Sequence, residues 1–157
     1  MDEREFKART KGLALRAIRL VEALPRTTAA EVIGRQLVRS AASVGANYRA
    51  ACRGKSAADV IAKLGIVEEE ADETAYWLEL LAECGLVASA RLADLLAETD
   101  EILAMTVASI KPLRSRQRAT SPATHTHVVR PQSKIANPKS KIGLTREGAG
   151  DDAVADV

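Results

Sequence analysis

A chain of 157 residues with 46% apolar but only 3% aromatic residues can close one core, and it must fill that core with Leu, Ile, Val and Ala, as close-packed helices do. No run of about 18 apolar residues occurs, which argues against a membrane-spanning helix, and the charged start MDEREFKART has no apolar signal centre, so a cytoplasmic protein is expected. The net charge of +2 hides a separation of signs: residues 1–63 hold 13 Lys/Arg against 6 Asp/Glu, residues 64–110 hold 1 against 11, and residues 111–118 add four positive charges.

The first helix is predicted from Glu5 to Leu24. Phe6, Leu13 and Leu20 repeat every seven residues, as do Thr10, Ala17 and Leu24, which makes one apolar stripe. Pro25 ends it, lacking the N–H and clashing with the preceding turn. The second helix starts near Thr28, where Thr28 and Glu31 have capping-box spacing. Its core face is Ile33, Leu37, Val44, Tyr48 and Ala51, and it breaks at Gly54. Gly45 lies mid-helix with no turn residues around it, which points to close approach of another helix.

Ser56 and Asp59 cap a third helix with Val60, Leu64, Val67, Ala71, Thr74, Leu78 and Leu81 as its seam, stopping near Cys84 and Gly85. The fourth runs from Ala88 to Lys111, with Leu92, Leu95, Leu96, Thr99, Ile102, Leu103, Thr106 and Ile110 inward, and Pro112 closes it. Four amphipathic helices on short loops predict an all-α, antiparallel up-down-up-down four-helix bundle over 1–118. The second and third helices should then be neighbours, with Ser40 near the level of Glu70. From Ala119 the apolar period vanishes and Pro, Ser, Thr, Lys and Asn dominate, so 119–157 is expected to be a disordered tail. Both histidines, His125 and His127, fall there as solvated residues. Cys52 and Cys84 are expected to be buried or half-buried free thiols.

Two surfaces carry the functional candidates. On the third helix, Ile66, Glu73 and Leu80, and likewise Glu70, Trp77 and Cys84, form a second stripe bordering the core seam. It calls for a second neighbour, either another helix of the bundle or another subunit. Its glutamates need partners if buried. On the second helix, Gln36, Ser40, Ser43, Asn47 and Ala50 form a polar strip beside an arginine strip of Arg35, Arg39, Arg49 and Arg53, with Ala42 and Ala46 between. Arg39 can pair with Glu70 or Glu73, and Ser40, Ser43 and Asn47 can bond across the same seam. That is a structural polar network or subunit contact made of Arg39, Ser40, Ser43, Asn47, Glu70, Glu73 and Trp77. The competing use is phosphate binding by Arg35, Arg49, Arg53, Lys55, Arg114 and Arg116, the alanine spacers letting a nucleic-acid backbone come close.

Catalysis has little support. Residues 1–118 contain no histidine, no Glu-x-x-His and no Gly-rich phosphate loop. The reading is a non-enzymatic protein with no cofactor and no metal site.

The segments RSAASVGANYRAACRGKS and IAKLGIVEEEADETAYWLELL resemble the four-helix-bundle proteins encoded in 23S ribosomal RNA intervening sequences. The resemblance runs from about Phe6 to Pro112 and is most specific at Arg39-Ser40, the Ser43-to-Asn47 spacing, Glu70-Ala71 through Glu73, and Trp77-Leu78. It implies an antiparallel bundle assembled as a homopentamer, with the second stripe of the third helix and the polar strip of the second as subunit contacts. The fold is also similar to the accessory variability protein of diversity-generating retroelements, a basic pentameric barrel that binds nucleic acid and a reverse transcriptase. That likeness implies RNA or DNA, and a reverse-transcriptase-like or other protein, as partners. The acidic third and fourth helices depart from a broadly basic barrel. They confine any nucleic-acid contact to the face of the first two helices or to the 111–118 exit. The alternative is a structural or protein-interaction module whose Arg and Glu strips serve its own assembly.

Overall fold

A computed structural model describes residues 2–120. It contains four helices, α1 (Glu3–Glu22), α2 (Thr28–Ala51), α3 (Ala57–Glu83) and α4 (Ser89–Thr120), and no strand among the described residues. Consecutive helices pack antiparallel. Phe6 near the start of α1 meets Tyr48 near the end of α2, and Ser40 meets Thr74 across α2 and α3.

The core is the seam read from the heptads. Phe6, Leu13, Ala17, Ile33, Leu37, Val44, Val67, Ala71, Leu78, Leu81, Leu92, Leu95 and Ile102 are buried in one cluster. Ala51, Leu64 and Ile110 form a second cluster at the end where α2 finishes and α3 begins, with Val60, Ile61 and Leu113 packed on it. Thr10, Ser40, Thr74, Thr99 and Thr106 are buried among these apolar residues. Each bonds a backbone carbonyl in its own helix, so no hydroxyl is desolvated without a partner.

The helix ends follow elementary backbone accounting, with two corrections to the sequence reading. The cap of α2 is Thr27, not Thr28, and its hydroxyl accepts from the Ala30 amide at 3.2 Å. Two adjacent threonines offer the same chemistry, and the chain uses the earlier one. Glu31 is thereby left to pair with Arg35 at 3.2 Å. Ser56 caps α3 as expected, accepting from the Asp59 amide at 3.1 Å, while the Asp59 carboxylate reaches the Lys55 amide instead of that of Ser56. Gly85 (φ 66°) reverses the chain after α3 in the left-handed region that glycine adopts without strain.

The second correction concerns α4. It does not close at Pro112 but passes through it to Thr120, a helix of 32 residues and thus about 48 Å. Proline removes one i→i−4 bond, but Leu113, one residue on, packs on the Ala51–Leu64–Ile110 cluster, which offsets the loss. Ala119 and Thr120 therefore belong to α4, beyond the domain boundary expected at 118. The remainder of the expected disordered tail, with both histidines, lies outside the described residues. Both cysteines are free thiols. Cys52 is half-buried, but Cys84, the residue that caps the C-terminal end of α3, is exposed. None of the described helices is long and apolar enough to cross a membrane.

Candidate functional site

The arginine strip of α2 divides into three environments. Arg39 faces α3. Its Nε donates to Gln36 Oε1 at 3.0 Å, Nη1 reaches both oxygens of Glu70 at 3.3 Å, and Nη2 bonds Glu73. Glu73 also accepts from the indole N–H of Trp77 at 2.9 Å. The Arg39 guanidinium first, and the Trp77 N–H second, hold the Glu73 carboxyl below its ordinary range, and Arg39 is correspondingly more basic than usual, through Glu73 above all. Glu70, Glu73 and Trp77 of the second stripe are half-buried, so the carboxylates that needed a counterion have it within the same subunit.

Ser40 and Thr74 lie beneath this network, both fully buried. Thr74 Oγ1 is 3.0 Å from Ser40 Oγ and 2.7 Å from the Glu70 carbonyl, and Ser40 Oγ is 3.3 Å from the Leu37 carbonyl. Each hydroxyl has one proton, so the pair is satisfied in either direction. Ser43 and Asn47 behave differently from expectation. The Asn47 amide donates to both the carbonyl and the hydroxyl of Ser43 at 3.0 Å, a contact within α2 rather than across the seam.

Arg35 is exposed and paired with Glu31 one turn back on α2. Both line an open depression of about 760 Å³ at the α1–α2 turn. Its charge is locally matched, and it stands at the opposite end of α2 from the other candidates.

Arg49 faces α1. It lines a groove of about 320 Å³ with Lys7, Lys11, Thr10, Ala14, Ala42, Gly45 and Ala46. The alanine spacers and Gly45 supply its floor. α1 does pack beside Gly45, but a Cβ there would stand 3.6 Å from the Thr10 backbone, an ordinary contact, so the approach is not close enough to require glycine. Lys7 is paired with Glu3, while Lys11 and Arg49 make no ion pair among the described residues. Arg53, one turn beyond Arg49, and Lys55 in the α2–α3 turn are exposed. Lysines 7 and 11 were not singled out in the sequence. Their i, i+4 spacing on α1 was the available signal, but only the packing of α1 on α2 puts them beside Arg49.

The end of α4 lies on the same side of the bundle as Arg53 and Lys55, because Leu113 joins the Ala51–Leu64 cluster. Lys111, Arg114, Ser115 and Arg118 line a shallow cleft there. Arg114 also edges a groove of about 510 Å³ with Gly65, Glu68, Glu69, Asp72, Leu103 and Val107, so acidic α3 offsets its charge. Arg116 is exposed and engaged by a neighbour.

One contact had no counterpart in the sequence reading. Arg9 of α1 forks onto Glu98 of α4, Nε to Oε1 and Nη2 to Oε2, both at 2.8 Å, and Nη2 also meets Glu101 at 2.5 Å. The two carboxylates hold Arg9 more firmly protonated than an ordinary arginine, Glu98 being the stronger influence. No group of three or more His, Cys, Asp or Glu side chains among the described residues is placed to hold a metal ion.

The family described as 23S rRNA-intervening sequence protein matches residues 3–108, from the first turn of α1 to most of α4. The crystal structure of a protein of unknown function from the S23 ribosomal protein family, from Bacteroides thetaiotaomicron, is 33% identical. The match covers 71% of this chain and 99% of that one, with a TM-score of 0.66. No curated protein matches.

Proposed function

Because the chain belongs to the 23S rRNA-intervening sequence protein family, we propose that it is a non-enzymatic accessory protein that contacts nucleic-acid phosphates through α1 and α2 and assembles as a homopentamer. One observation carries the nucleic-acid reading. Lys11 and Arg49 line a groove floored by alanine and glycine and have no carboxylate partner among the described residues, in a bundle that elsewhere pairs Arg9 and Arg39 with two glutamates each. An unpaired guanidinium above small side chains is open to a phosphate, and neutralising phosphates releases counterions. Arg53 and Lys55 extend the same positive surface. Arg35 contributes less, because Glu31 already matches it.

The alternative, a structural or protein-interaction module, is favoured by the Arg39–Glu70–Glu73–Trp77 network, whose charges are consumed in holding α2 to α3. In that reading the exposed acidic face of α3 is left for a protein partner.

The test is titration of purified protein into labelled RNA and DNA at several salt concentrations, with mass measured on the same samples. Binding that weakens steeply with salt, by an oligomer of one size, supports the proposal. Arg49→Ala with Arg53→Ala should then weaken binding and leave the oligomer intact. Absence of binding at low salt sinks it, and dissociation of the oligomer by the same substitutions favours the alternative.

A further inference from the structure

The placement of the aromatic side chains narrows the class of nucleic acid, on the premise that phosphates are bound at all. The whole sequence has four aromatic residues: one Phe, one Trp and two Tyr. All four lie within the described helices. Phe6 is 4% exposed and packs on Tyr48, ring centroids 4.3 Å apart. Trp77 is half-buried on α3, its N–H spent on Glu73. Tyr76, at 51% the one well-exposed aromatic ring, stands on the same acidic helix against Trp77. The α1–α2 groove therefore offers Lys7, Lys11 and Arg49 over Ala14, Ala42, Gly45 and Ala46, and no ring to any base.

Proteins that hold single strands tightly combine a basic track with aromatic platforms, since unstacked bases must find new stacking partners. A flexible strand also gains by wrapping. Here Glu68, Glu69 and Asp72 line the groove between α3 and α4, and a strand passing there would be repelled. A duplex asks for neither service. Its bases stay stacked inside, and it presents about one charge per 1.7 Å of axis, twice the density of one strand. Lys7 and Lys11 are one helical turn apart on α1, about 6 Å along its axis, Arg49 faces them from the last turn of α2, and Arg53 follows in the turn beyond it, which gives a band of positive charge along two antiparallel rods. Such rods meet a rigid polyanion along one face.

We infer that this surface binds the sugar–phosphate backbone of a duplex, without base stacking and in preference to a single strand. The groove makes no base readout, so A-form and B-form duplexes are both substrates of the same chemistry, ranked by how their grooves fit the two helices. Trp77, on the far side of the charge divide, serves as a built-in reporter.

The experiment uses the full chain with a mixed-sequence DNA duplex, the RNA duplex of the same sequence, and each separate strand, at several salt concentrations, following both affinity and Trp77 emission. At least one duplex should bind about tenfold or more tighter than its strands, with Trp77 emission unchanged. Its log–log salt slope should fall by about 0.9 for each of Lys11→Gln, Arg49→Gln and Arg53→Gln, one phosphate contact apiece. The tighter of the two duplexes identifies the source. Single strands that bind as tightly as duplexes, or that quench Trp77, overturn the duplex inference while leaving phosphate binding standing. Failure of every probe to bind at low salt overturns both.

Discussion

Replacement of Arg9 tests how the bundle closes. α1 and α4 meet far more sparingly than the consecutive helix pairs, and Arg9 supplies their main polar contact. Solvent-exposed pairs contribute about 0.2–1 kcal/mol, whereas breaking a buried pair costs about 3–5 kcal/mol. The Arg9 and Glu98 side chains are each 24% exposed, between those limits, and the fork is bidentate, the geometry in which both bonds are retained. Glu101 is 66% exposed, so its share is largely screened. Arg9→Ala should therefore cost about 2 kcal/mol, partly because Glu98 is left half-buried beside Glu101 without a counterion. With a urea m-value of about 2 kcal/mol/M for a domain of this size, the midpoint should fall by about 1 M at fixed protein concentration. A double-mutant cycle with Glu98→Gln should return a coupling of about 1–2 kcal/mol, and Glu101→Gln alone should cost about 0.5 kcal/mol or less. Amide exchange should speed first in the N-terminal half of α1. A loss below about 0.5 kcal/mol for Arg9→Ala, with α1 protection unchanged, would refute the claim that this fork closes the bundle.

Two glycines of α2 should respond oppositely to alanine. At Gly45 a Cβ would meet Thr10 at 3.6 Å, an ordinary contact, so Gly45→Ala should stabilise by about 0.5–1 kcal/mol through helix propensity. At Gly34 it would stand 2.8 Å from Cγ1 of Val21, a stiff β-branched side chain, so Gly34→Ala should destabilise; thermal melts of the two variants decide, and equal shifts would contradict the packing. Pro112→Ala restores a missing bond inside α4 and should raise helicity by circular dichroism and stability by about 1–2 kcal/mol, less than the roughly 3 kcal/mol of a mid-helix proline because it lies near the last core contact. No gain would mean that α4 ends there in solution. Burial first, and the neighbouring Cys52 next, push the Tyr48 phenol up to about 12. Since an unfolded tyrosine titrates near 10, its contribution to stability is full below about pH 10 and is lost as pH rises through the folded value. In Tyr76→Phe, which leaves Tyr48 as the only tyrosine, tyrosinate absorbance should rise near pH 12 together with loss of helix. A midpoint near 10 with the fold intact would refute the burial argument.

The helices and their inward faces were legible because a heptad is a local pattern that survives into the fold. Val60 to Leu81 and Leu92 to Ile110 read inward in sequence and pack inward. The α2–α3 register was also legible, since a short loop fixes antiparallel pairing and leaves Arg39 opposite Glu70 and Glu73. What was lost depended on choices among chemically equal neighbours or on contacts between elements distant in sequence. Thr27 and Thr28 cap equally well on paper. Pro112 reads as a stop until Leu113 finds a cluster built from three helices. Arg9 and Glu98 are separated by 89 positions, and nothing local marks either. The Lys7–Lys11–Arg49 groove is of the same kind, because each helix shows only half of it.

The ion pairs bear on function by subtraction. Arg9 takes up Glu98 and Glu101, and Arg39 takes up Glu70 and Glu73, so four glutamates of the acidic half are matched by two arginines of the basic half. The remainder is segregated. On α3, Glu69, Asp72, Glu79 and Glu83 stay exposed along one face, and on α2 and its following turn Arg49, Arg53 and Lys55 stay exposed on another. If the charge separation served only to hold the helices together, matching would have run to completion, because an exposed unmatched charge contributes nothing to a bundle. A molecule with one basic and one acidic face instead orients an approaching polyanion before contact, at distances up to a Debye length of about 8 Å at physiological salt. Neutralising the acidic side with Glu69→Gln and Asp72→Gln touches neither the α1–α2 groove nor the core. If the acidic face confines the ligand, these changes should tighten nucleic-acid binding at low salt and erode the preference for duplex over single strand. If affinity and preference both stay fixed, the acidic face has no part in confining the ligand, and α1 and α2 alone set the selectivity.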